Sequence, residues 1–475
     1  MLYVGVALVV FVLVLVIRAL NFNPKEVEKI DFIKPNFDYD KLVVNMADMI
    51  KCKTVSYLEE DKIDYNEFYR LQDLVKIKYP LLNEKAEFIK VEKTGLIFKL
   101  KGKDSSKANI VMAHYDVVPV CQELWSVDAF SALIKDGYMW GRGTLDTKGT
   151  FCSILEAVEF SLGENYQSEY DLYLAFSGNE ETTGSTCAAM VQYFVKNNID
   201  INMVLDEGGA VVSKTFPGVK EDTAMIGIAE KGQCNIKLSL VSDGGHASTP
   251  KKHTIIGQLA KCAVNIEKKP FKTEYPLAVA KTFDCLGRYS SFTYKILFAN
   301  LWCFLPILKL VCSSIGKELG AMVRTTCAIT RAEGSDAYNV LPPEASLGLN
   351  LRLLGSSTAE NAKEYITKVI ANDNVKVELV TANDPSSTAC TDCEQWKMLS
   401  QVVKAVWPEA IVAPYLMVAS TDSRAYAKIS DKVYRFSAMT LSAEERALIH
   451  SNDERIPLKT LFTIFDFYYN LLKKL

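Results

Sequence analysis

The sequence predicts an α/β protein in which a large domain is interrupted by a smaller inserted α/β domain and preceded by one apolar helix. Three observations support this fold class. Short apolar runs that are typical of strands alternate with helical patterns, as in domains built on a mainly parallel sheet. From about Lys231 the strands instead alternate polar and apolar residues, as in a sheet with one open face. The segment Leu2–Ile17 is uninterrupted apolar sequence.

The apolar N-terminal segment is long enough for a membrane anchor. Leu2–Ile17 spans roughly 24 Å as a helix, and Ala19 and Leu20 extend it toward the hydrocarbon thickness of a bilayer. No basic region precedes it and no small-residue cleavage site follows it, so we interpret 1–20 as a single span. A signal peptide is the alternative. Arg18 and Lys25 weakly favour a cytosolic location for the chain that follows.

The domain boundaries follow from changes in residue pattern. A polar stretch over 21–38 predicts a linker, and the large domain is expected to occupy 39–230 and 384–475, on either side of an inserted domain over 231–383. Within the first part we predict strands over 109–114, 172–176 and 201–206 and a helix over 149–160. A second apolar stretch, 298–312, contains Pro306 and Lys309 and is short, so we interpret it as a buried or interface helix rather than a second span.

Charge and cysteine usage exclude some classes of function. The net charge of −3 over 475 residues leaves no electrostatic footprint for nucleic acid, so no nucleic-acid partner is expected. The twelve cysteines are scattered, and Cys390 and Cys393 form a single C-x-x-C without a second pair. A structural zinc needs about four ligands, so these thiols are interpreted as incidental, with an occasional disulfide as the alternative in a lumenal protein.

Acidic and imidazole side chains follow the predicted strands of the first domain. In open α/β sheets, ligands bind beyond the carboxyl ends of the strands, so side chains at these ends are candidates for a shared site. The first strand ends in a histidine, and each of the others is followed by two adjacent carboxylates. The residues are His114 and Asp116 after the first strand, Glu180 and Glu181 after the second, and Asp206 and Glu207 after the third.

The remaining candidates lie in polar or glycine-rich loops. Only four histidines occur in the chain, and His246 and His450 join His114 in such surroundings, whereas His253 is interpreted as a surface residue. Asp146 lies among Gly141, Gly143 and Gly149, directly before the predicted helix. Asp146 could be a helix N-cap instead. A phosphate loop is disfavoured because the segment lacks both G-x-x-x-x-G-K-[ST] and G-x-G-x-x-G.

The ordered set of these segments resembles the M20 family of metallopeptidases, and most of all its carboxypeptidase S-like and N-acyl amino acid hydrolase branch. The matching motifs run in the family's order from about residue 40 to the end: His114–Pro119, Gly141–Gly149, Ser177–Glu181, Leu205–Gly208, Gly244–Pro250, Asn339–Pro342 and His450–Glu454. The resemblance implies a zinc-peptidase-like catalytic domain, formed by the two outer parts, with an inserted lid domain that can mediate dimerisation. It also implies a vacuolar, lumenal or secreted location, in contrast to the cytosolic one that Arg18 and Lys25 favour.

The resemblance also implies a role for each candidate residue. Two Zn²⁺ ions are expected, with Co²⁺ or Mn²⁺ as substitutes. The implied metal ligands are Asp146 between the two ions, His114 and Asp206 on one, and Glu181 and His450 on the other. Glu180 is implied as general base and Asp116 as the carboxylate that orients His114. In the lid, His246 and Asn339 are implied to stabilise the oxyanion, and Arg352 to hold the substrate's terminal carboxylate.

The function expected from this set is hydrolysis of an amide bond in a small substrate with a free carboxylate, by a metal-activated water. The substrates would be short peptides cut at the C-terminus or N-acyl amino acids. Two divalent cations also explain how adjacent carboxylates such as Glu180 and Glu181 are tolerated, because they neutralise acids that would otherwise repel each other. The alternative is an inactive membrane-tethered binding protein of the same fold. It is disfavoured because the full set of expected ligands and the base is present.

Overall fold

A computed structural model describes residues 2–315 and 317–475, with side chains for all of these except 312–319. The α-helices of the described residues are α1 Leu2–Leu20, α2 Tyr39–Ile50, α3 Tyr65–Lys78, α4 Pro80–Lys85, α5 Lys148–Gly163, α6 Thr186–Lys196, α7 Ile255–Lys268, α8 Leu277–Tyr289, α9 Phe292–Phe298, α10 Leu301–Ile315, α11 Lys317–Met322, α12 Ala359–Ile370, α13 Glu394–Val406, α14 Ala443–Arg446 and α15 Leu458–Leu472.

The strands of the described residues are β1 Glu87–Val91, β2 Gly95–Leu100, β3 Asp104–His114, β4 Leu133–Lys135, β5 Tyr138–Trp140, β6 Tyr170–Ser177, β7 Ile201–Val212, β8 Thr223–Glu230, β9 Gly232–Val241, β10 Gly245–His246, β11 Thr326–Glu333, β12 Val340–Leu341, β13 Glu344–Leu353, β14 Lys376–Asn383, β15 Ile411–Met417, β16 Val433–Thr440 and β17 Arg455–Pro457.

The large domain is built on an eight-stranded mixed sheet in the order β1-β2-β6-β3-β7-β16-β8-β15. Its central block, β6-β3-β7-β16, is parallel. β8 runs antiparallel to β7 and β16, and β2 runs antiparallel to β6. The predicted α/β fold class is confirmed, with a parallel centre and antiparallel flanks. Because the central strands are parallel, the chain segments that follow them leave the sheet at one edge.

Helices cover both faces of this sheet. On one face α5 contacts β3, and α15 and α2 pack onto α5. Phe151, Ile154, Leu155 and Val158, whose spacing predicted the helix, are all buried in this layer. On the other face α6 packs against β2 and β6 in a separate apolar cluster. Apolar strands enclosed in this way hold their ends in fixed positions relative to one another.

A second sheet of four strands, in the order β11-β13-β9-β14, is antiparallel throughout. α7 and α12 pack against it and share its apolar cluster. Along β9 buried and half-buried residues alternate, as the sequence pattern predicts for a sheet covered on one face. This sheet lies within the predicted inserted domain, whose boundaries at 231 and 383 remain predictions.

In the described part of the chain, the helices α8 to α11 do not pack on the four-stranded sheet. They lie between β9 and β11 in sequence, yet α8 packs on β15 of the large sheet. Ala278, Phe283, Leu286 and Phe298 belong to the apolar core of the large domain. The inserted chain therefore returns to the large domain before it completes the four-stranded sheet.

The N-terminal helix α1 is long and apolar enough to cross a membrane, by length and composition, and a signal sequence would pass the same test. Only Leu15 and Ala19 of its residues are buried. α9 and α10 pass this test only as a pair, with a bend of 102° between them. The structure therefore supports one candidate span, with α9 and α10 as a second, bent apolar element.

Candidate metal centre

The central parallel strands bring the predicted ligands to one edge of the large sheet. His114 ends β3 and pairs in register with Ser177, which ends the neighbouring strand β6. The turn after Ser177 carries Glu180 and Glu181, while β7, on the other side of β3, carries Glu207. Side chains from three segments far apart in the sequence therefore converge because their strands are adjacent and parallel.

Asp146 lies between two histidines. Its Oδ1 is 2.9 Å from His114 Nε2, and its Oδ2 is 3.0 Å from His450 Nε2. His450 Nε2 also lies 3.1 Å from Glu181 Oε2. One carboxylate that contacts an imidazole with each of its oxygens has the arrangement required to bridge two cations.

Two overlapping groups of ligand atoms among the described residues could hold metal ions. The first comprises His114, Asp146 and Glu181, and the second His114, Glu180 and Glu207, with ligand atoms within 4.8 Å of one another in each group. The mixture of imidazole and carboxylate donors is one that Zn²⁺, Co²⁺ and Mn²⁺ accept. The donor set therefore fits a pair of divalent ions.

Asp206, the predicted ligand on β7, does not lie in either group. Its Oδ2 accepts a hydrogen bond from the backbone N–H of Ser423 at 2.9 Å, and its side chain is buried. The adjacent Glu207 places Oε1 3.3 Å from His114 Nε2. The sequence contained both carboxylates, but successive side chains of a strand point to opposite faces, and the spacing alone could not identify the one that faces His114.

Asp116 holds both His114 and the turn that carries the two glutamates. Its Oδ1 is 3.4 Å from His114 Nδ1, and its backbone carbonyl lies 3.1 Å from the same nitrogen. Its carboxylate oxygens accept hydrogen bonds from the backbone N–H groups of Glu180 and Glu181, both at 3.1 Å. A proton held on Nδ1 leaves the Nε2 lone pair directed at the cluster, as in other metal-binding histidines.

A buried carboxylate that we did not assign from the sequence shapes the loop around Asp146. Glu454 accepts hydrogen bonds from Arg142 Nη1 at 2.6 Å and from the backbone N–H groups of Gly143 and Leu145 at 3.1 and 2.8 Å. Gly143 has a φ of +88°, and a Cβ there would lie 2.7 Å from a methyl group of Val117. Glu454 ends the motif that begins with His450, which is the one signal that could have revealed its role.

Comparison with known proteins identifies the family. The profile described as "Peptidase family M20/M25/M40" matches residues 110–474, which is more than half of the chain. The chain belongs to peptidase family M20. The resemblance inferred from the motifs is therefore confirmed, and the protein is an enzyme of the metallocarboxypeptidase and aminoacylase type.

Relatives with assigned names agree with this family membership. The chain is 32% identical over 481 residues to "Probable carboxypeptidase S-like 2" of Dictyostelium discoideum, covering 98% of this chain and 92% of the relative. It is 31% identical over 392 residues to "N-fatty-acyl-amino acid synthase/hydrolase PM20D1" of Mus musculus, covering 80% and 77%.

Solved structures show the same fold. The M20 family metallo-carboxypeptidase Sso-CP2 from Sulfolobus solfataricus has a TM-score of 0.69 at 18% identity, with 91% of this chain and 98% of that chain covered. A Bacillus subtilis protein described as a dinuclear metal-binding peptidase from the M20 family has a TM-score of 0.55 at 11% identity, with 92% and 98% covered.

The acids of this M20 site shift one another's proton affinity. Burial, with neighbouring carboxylates, raises the pKa of Glu180 well above its usual range and that of Glu207 to about 8. Burial also raises the pKa of Asp146, but hydrogen bonds from His114 and His450 outweigh it and lower this pKa overall. Hydrogen bonds to Asp146 and Glu181 raise the pKa of His450 to about 10. Without cations, the cluster would therefore retain protons that bound cations would displace.

The predicted lid residues lie apart from this cluster in the contacts that the structure describes. His246 is exposed, and its Nδ1 is 2.7 Å from Ser248 Oγ. His246 pairs with Val340 of β12, which places it beside Asn339, whose carbonyl accepts a hydrogen bond from the Ala247 N–H at 3.0 Å. The tertiary structure thus brings His246 and Asn339 together on a separate two-stranded ladder, and their assigned role in stabilising the oxyanion stays a prediction.

Arg352 lies on β13 with a second arginine nearby. Its Nη1 donates to Gln233 Oε1 at 3.2 Å. Burial, followed by the charge of Arg424, lowers the pKa of Arg352. Arg424 ends the short 3₁₀ turn that contains Ser423, the residue bound to Asp206. Positive charge from β13 and from this turn therefore lies close together next to Asp206. Arg424 was not assigned from the sequence.

Proposed function

We propose that this M20 enzyme uses two divalent cations to hydrolyse an amide bond in small substrates that carry a free carboxylate. The observation that carries the proposal is Asp146, whose two oxygens lie 2.9 and 3.0 Å from the imidazoles of His114 and His450. His114 and Glu207 would complete one metal position, and Glu181 and His450 the other. Glu207 thereby replaces Asp206 as the proposed ligand, because its carboxylate reaches His114.

The charge of this ligand set favours two cations. Asp146, Glu181 and Glu207 would contribute about three negative charges, which two divalent ions nearly balance. Imidazole and carboxylate donors suit Zn²⁺, and Co²⁺ and Mn²⁺ would substitute. When bound, the ions would supply Lewis acidity to the substrate carbonyl and lower the pKa of the attacking water.

Glu180 is the proposed general base. Its backbone N–H is held by Asp116, and its carboxylate belongs to the ligand-atom group of His114 and Glu207. The raised pKa of Glu180 suits a carboxylate that accepts a proton from water and returns it to the leaving nitrogen. The side chain is half-buried, which limits competing water while keeping the carboxylate accessible from the cluster.

Arg352 and Arg424 are proposed to bind the substrate's free carboxylate. Arg424 is close enough for its charge, after burial, to lower the pKa of Arg352, and two such neighbouring positive charges attract an anion. The planar fork of arginine binds a carboxylate through two hydrogen bonds. His246 and Asn339 are proposed to stabilise the oxyanion. Since neither contacts the cluster in the described chain, we propose that they act after lid movement or from the lid of a second copy in a homodimer.

Of the two substrate types, the structure favours N-acyl amino acids over peptides. A cavity of about 190 Å³ is lined mainly by apolar groups, among them Met225, Leu286 and Met322. Its lining also includes Gly208 and Ile449, the sequence neighbours of Glu207 and His450. Such a cavity suits a hydrocarbon chain, and one relative is named an N-fatty-acyl-amino acid synthase/hydrolase.

We further propose that α1 anchors the enzyme in a membrane as a single span. The helix is 19 residues long and predominantly exposed, so its apolar surface is not covered by the rest of the chain.

The direct test is hydrolysis by the purified full-length enzyme. We expect release of free amino acid from N-acyl amino acids or from short peptides, loss of activity with a chelator, and recovery on adding Zn²⁺, Co²⁺ or Mn²⁺. Comparison of the two substrate types at equal concentration ranks them. Hydrolysis that persists in metal-free protein, or no hydrolysis of either type by fully metal-loaded protein, would contradict the proposal.

A further inference from the structure

One side of α10 presents exposed apolar side chains. Trp302 is 59% exposed, Ile307 56% and Val311 45%, and Pro306 is also exposed. These positions lie within one half of the helix circumference. Leu301 and Leu308, on the opposite half, pack against the core of the large domain. A helix of a soluble domain ordinarily turns a polar face outward, so this one is built for an apolar environment.

This apolar side continues directly into α1. The rings of Phe11 and Trp302 meet edge to face, with centroids 6.1 Å apart. The Arg18 guanidinium donates to the carbonyl of Ala299 at 3.1 Å, and the buried Asn300 amide donates to the carbonyl of Leu15 at 3.0 Å. The backbone between α9 and α10 is therefore held against the C-terminal half of α1.

The contact with α1 indicates how deep the start of α10 would lie in a bilayer. Phe11 lies seven positions before Arg18, which corresponds to about 10 Å along a helix axis. A hydrocarbon core about 30 Å thick has a half-thickness of about 15 Å. If Arg18 lies at the membrane surface, Trp302 lies within one leaflet, at a depth typical of helices that enter a bilayer without crossing it.

Charged groups surround the base of this element. Lys25 and Arg288 both pair with Asp284, at 3.8 and 2.8 Å. The Arg288 guanidinium also lies 4.4 Å from the centre of the Phe22 ring. These residues follow α1 or belong to α8, so polar and basic side chains lie where lipid headgroups would meet the protein.

We infer that α10 inserts into one leaflet of the bilayer beside α1, with its exposed side in contact with acyl chains. This inference rests on the proposed anchor function of α1. The bend of 102° between α9 and α10 lies at Ala299 and Asn300, the residues that bind Arg18 and Leu15, so α10 changes direction at the proposed membrane surface. Phe298 at the end of α9 packs on Phe216, which lines the apolar cavity near the metal cluster, with ring centroids 4.8 Å apart. The insertion would thus place the cavity wall close to the membrane.

Depth-dependent quenching of Trp302 fluorescence tests the inference. Full-length wild-type and Trp302→Phe proteins are reconstituted into phosphatidylcholine vesicles, and the difference between their emissions isolates Trp302. We expect nitroxide groups on the lipid acyl chains to reduce this emission about two-fold or more, and aqueous iodide to quench it weakly. Trp407→Phe is the matched control, since Trp407 is half-buried and donates to Thr440 Oγ1 at 3.0 Å in the large domain.

Three outcomes would overturn the inference. Strong iodide quenching of Trp302 in vesicles would place α10 in water. Protection from both quenchers would mean that protein, such as a second copy of the chain, covers this side. Release of the protein from the membrane by carbonate would refute the anchor itself. Protein that stays in the membrane, but whose Trp302 emission the acyl-chain nitroxides do not quench, would refute leaflet insertion alone. None of these measurements depends on turnover, so they are independent of the proposed hydrolysis.

Discussion

Arg142 and Glu454 form an ion pair at 2.6 Å in which neither side chain is significantly exposed, at 3% and 0%. The two residues are 312 positions apart in the sequence. The same carboxylate accepts backbone hydrogen bonds from the loop that ends in Asp146, including the Asp146 N–H at 3.3 Å. The position of the proposed bridging ligand therefore depends on a contact between distant parts of the chain.

We predict that Glu454→Gln lowers both metal affinity and stability. Loss of the charge leaves Arg142 buried without its partner, a change that typically costs about 3–5 kcal/mol. Metal affinity should fall about 10–100-fold, as when other groups that support metal ligands are removed. Metal titration and denaturant unfolding measure the two effects.

The matched control is Glu164→Gln, which removes a partly exposed ion pair with Lys473. It should cost at most about 1 kcal/mol and leave metal affinity unchanged. Equal effects of the two substitutions would contradict the role assigned to Glu454.

We predict that Glu180→Gln keeps its metal but loses turnover. The amide cannot accept the proton, so kcat should fall about 10²–10⁴-fold. Glu181→Gln is the control on the neighbouring residue, and it should instead lose bound metal, because Glu181 contacts His450. Elemental analysis and single-turnover kinetics distinguish the two effects, and near-normal turnover of Glu180→Gln would remove its assigned role.

A third prediction separates the adjacent carboxylates of β7. Glu207→Gln should lose about one metal equivalent, because Glu207 reaches His114. Asp206→Asn should retain the metals, since the Asp206 carboxylate binds the Ser423 backbone instead. Metal stoichiometry of the two purified variants is the measurement. Loss of metal from Asp206→Asn alone would restore the ligand expected from the sequence.

We predict that Arg352→Gln weakens substrate binding more than it slows chemistry. A hydrogen bond to a charged group contributes about 1.5–3 kcal/mol, so kcat/KM should fall roughly 10–100-fold, mainly through KM. Arg331→Gln, on the adjacent strand β11 and exposed, is the matched control and should have little effect. Esterification of the substrate carboxylate should lower kcat/KM for Arg331→Gln and have less effect on Arg352→Gln. An equal loss of kcat/KM in the two variants would mean that Arg352 does not bind that carboxylate.

Metal binding should release protons at neutral pH. In the metal-free site the pKa of His450 is raised to about 10 and that of Glu207 to about 8, so both hold protons that a metal must displace. Metal affinity should therefore rise as pH increases from 7 toward 10. Calorimetry in two buffers with different ionisation enthalpies counts the protons, and His450→Asn should release fewer.

The raised pKa of His450 also determines how the stability of the metal-free protein depends on pH. Because the folded pKa of His450 lies above its unfolded value of about 6.5, protonation of His450 stabilises the metal-free protein fully below pH 6.5. This contribution is lost as pH rises through about 10. The melting temperature of the metal-free protein should therefore fall as pH rises from about 6.5 to about 10, and it should fall less in His450→Asn. A melting temperature of the wild-type protein that rises over this range would contradict the ion pairs of His450.

The sequence by itself determined the fold class, the family and the group of residues that meet at the sheet edge. Apolar runs predicted the buried strands, and the polar residues directly after them predicted the site, because parallel strands end at one edge. His114 and Glu181 are candidates from their positions after predicted strands, His450 and Asp146 from their polar or glycine-rich loops, and the family resemblance implied their roles as ligands. The apolar composition of α1 was equally evident, since it requires no partner segment.

Only the tertiary structure decided which member of an adjacent pair faces His114 and which distant residues hold the loop around Asp146. The choice of Glu207 over Asp206 depends on the orientation of β7 relative to β3, and the pairing of Glu454 with Arg142 on how the two ends of the large domain pack. The packing of α8 on β15, within a segment assigned to the lid, depends likewise on long-range contacts. Periodicity describes a residue's immediate neighbours, whereas burial, charge pairing and side-chain direction are set by segments hundreds of positions away.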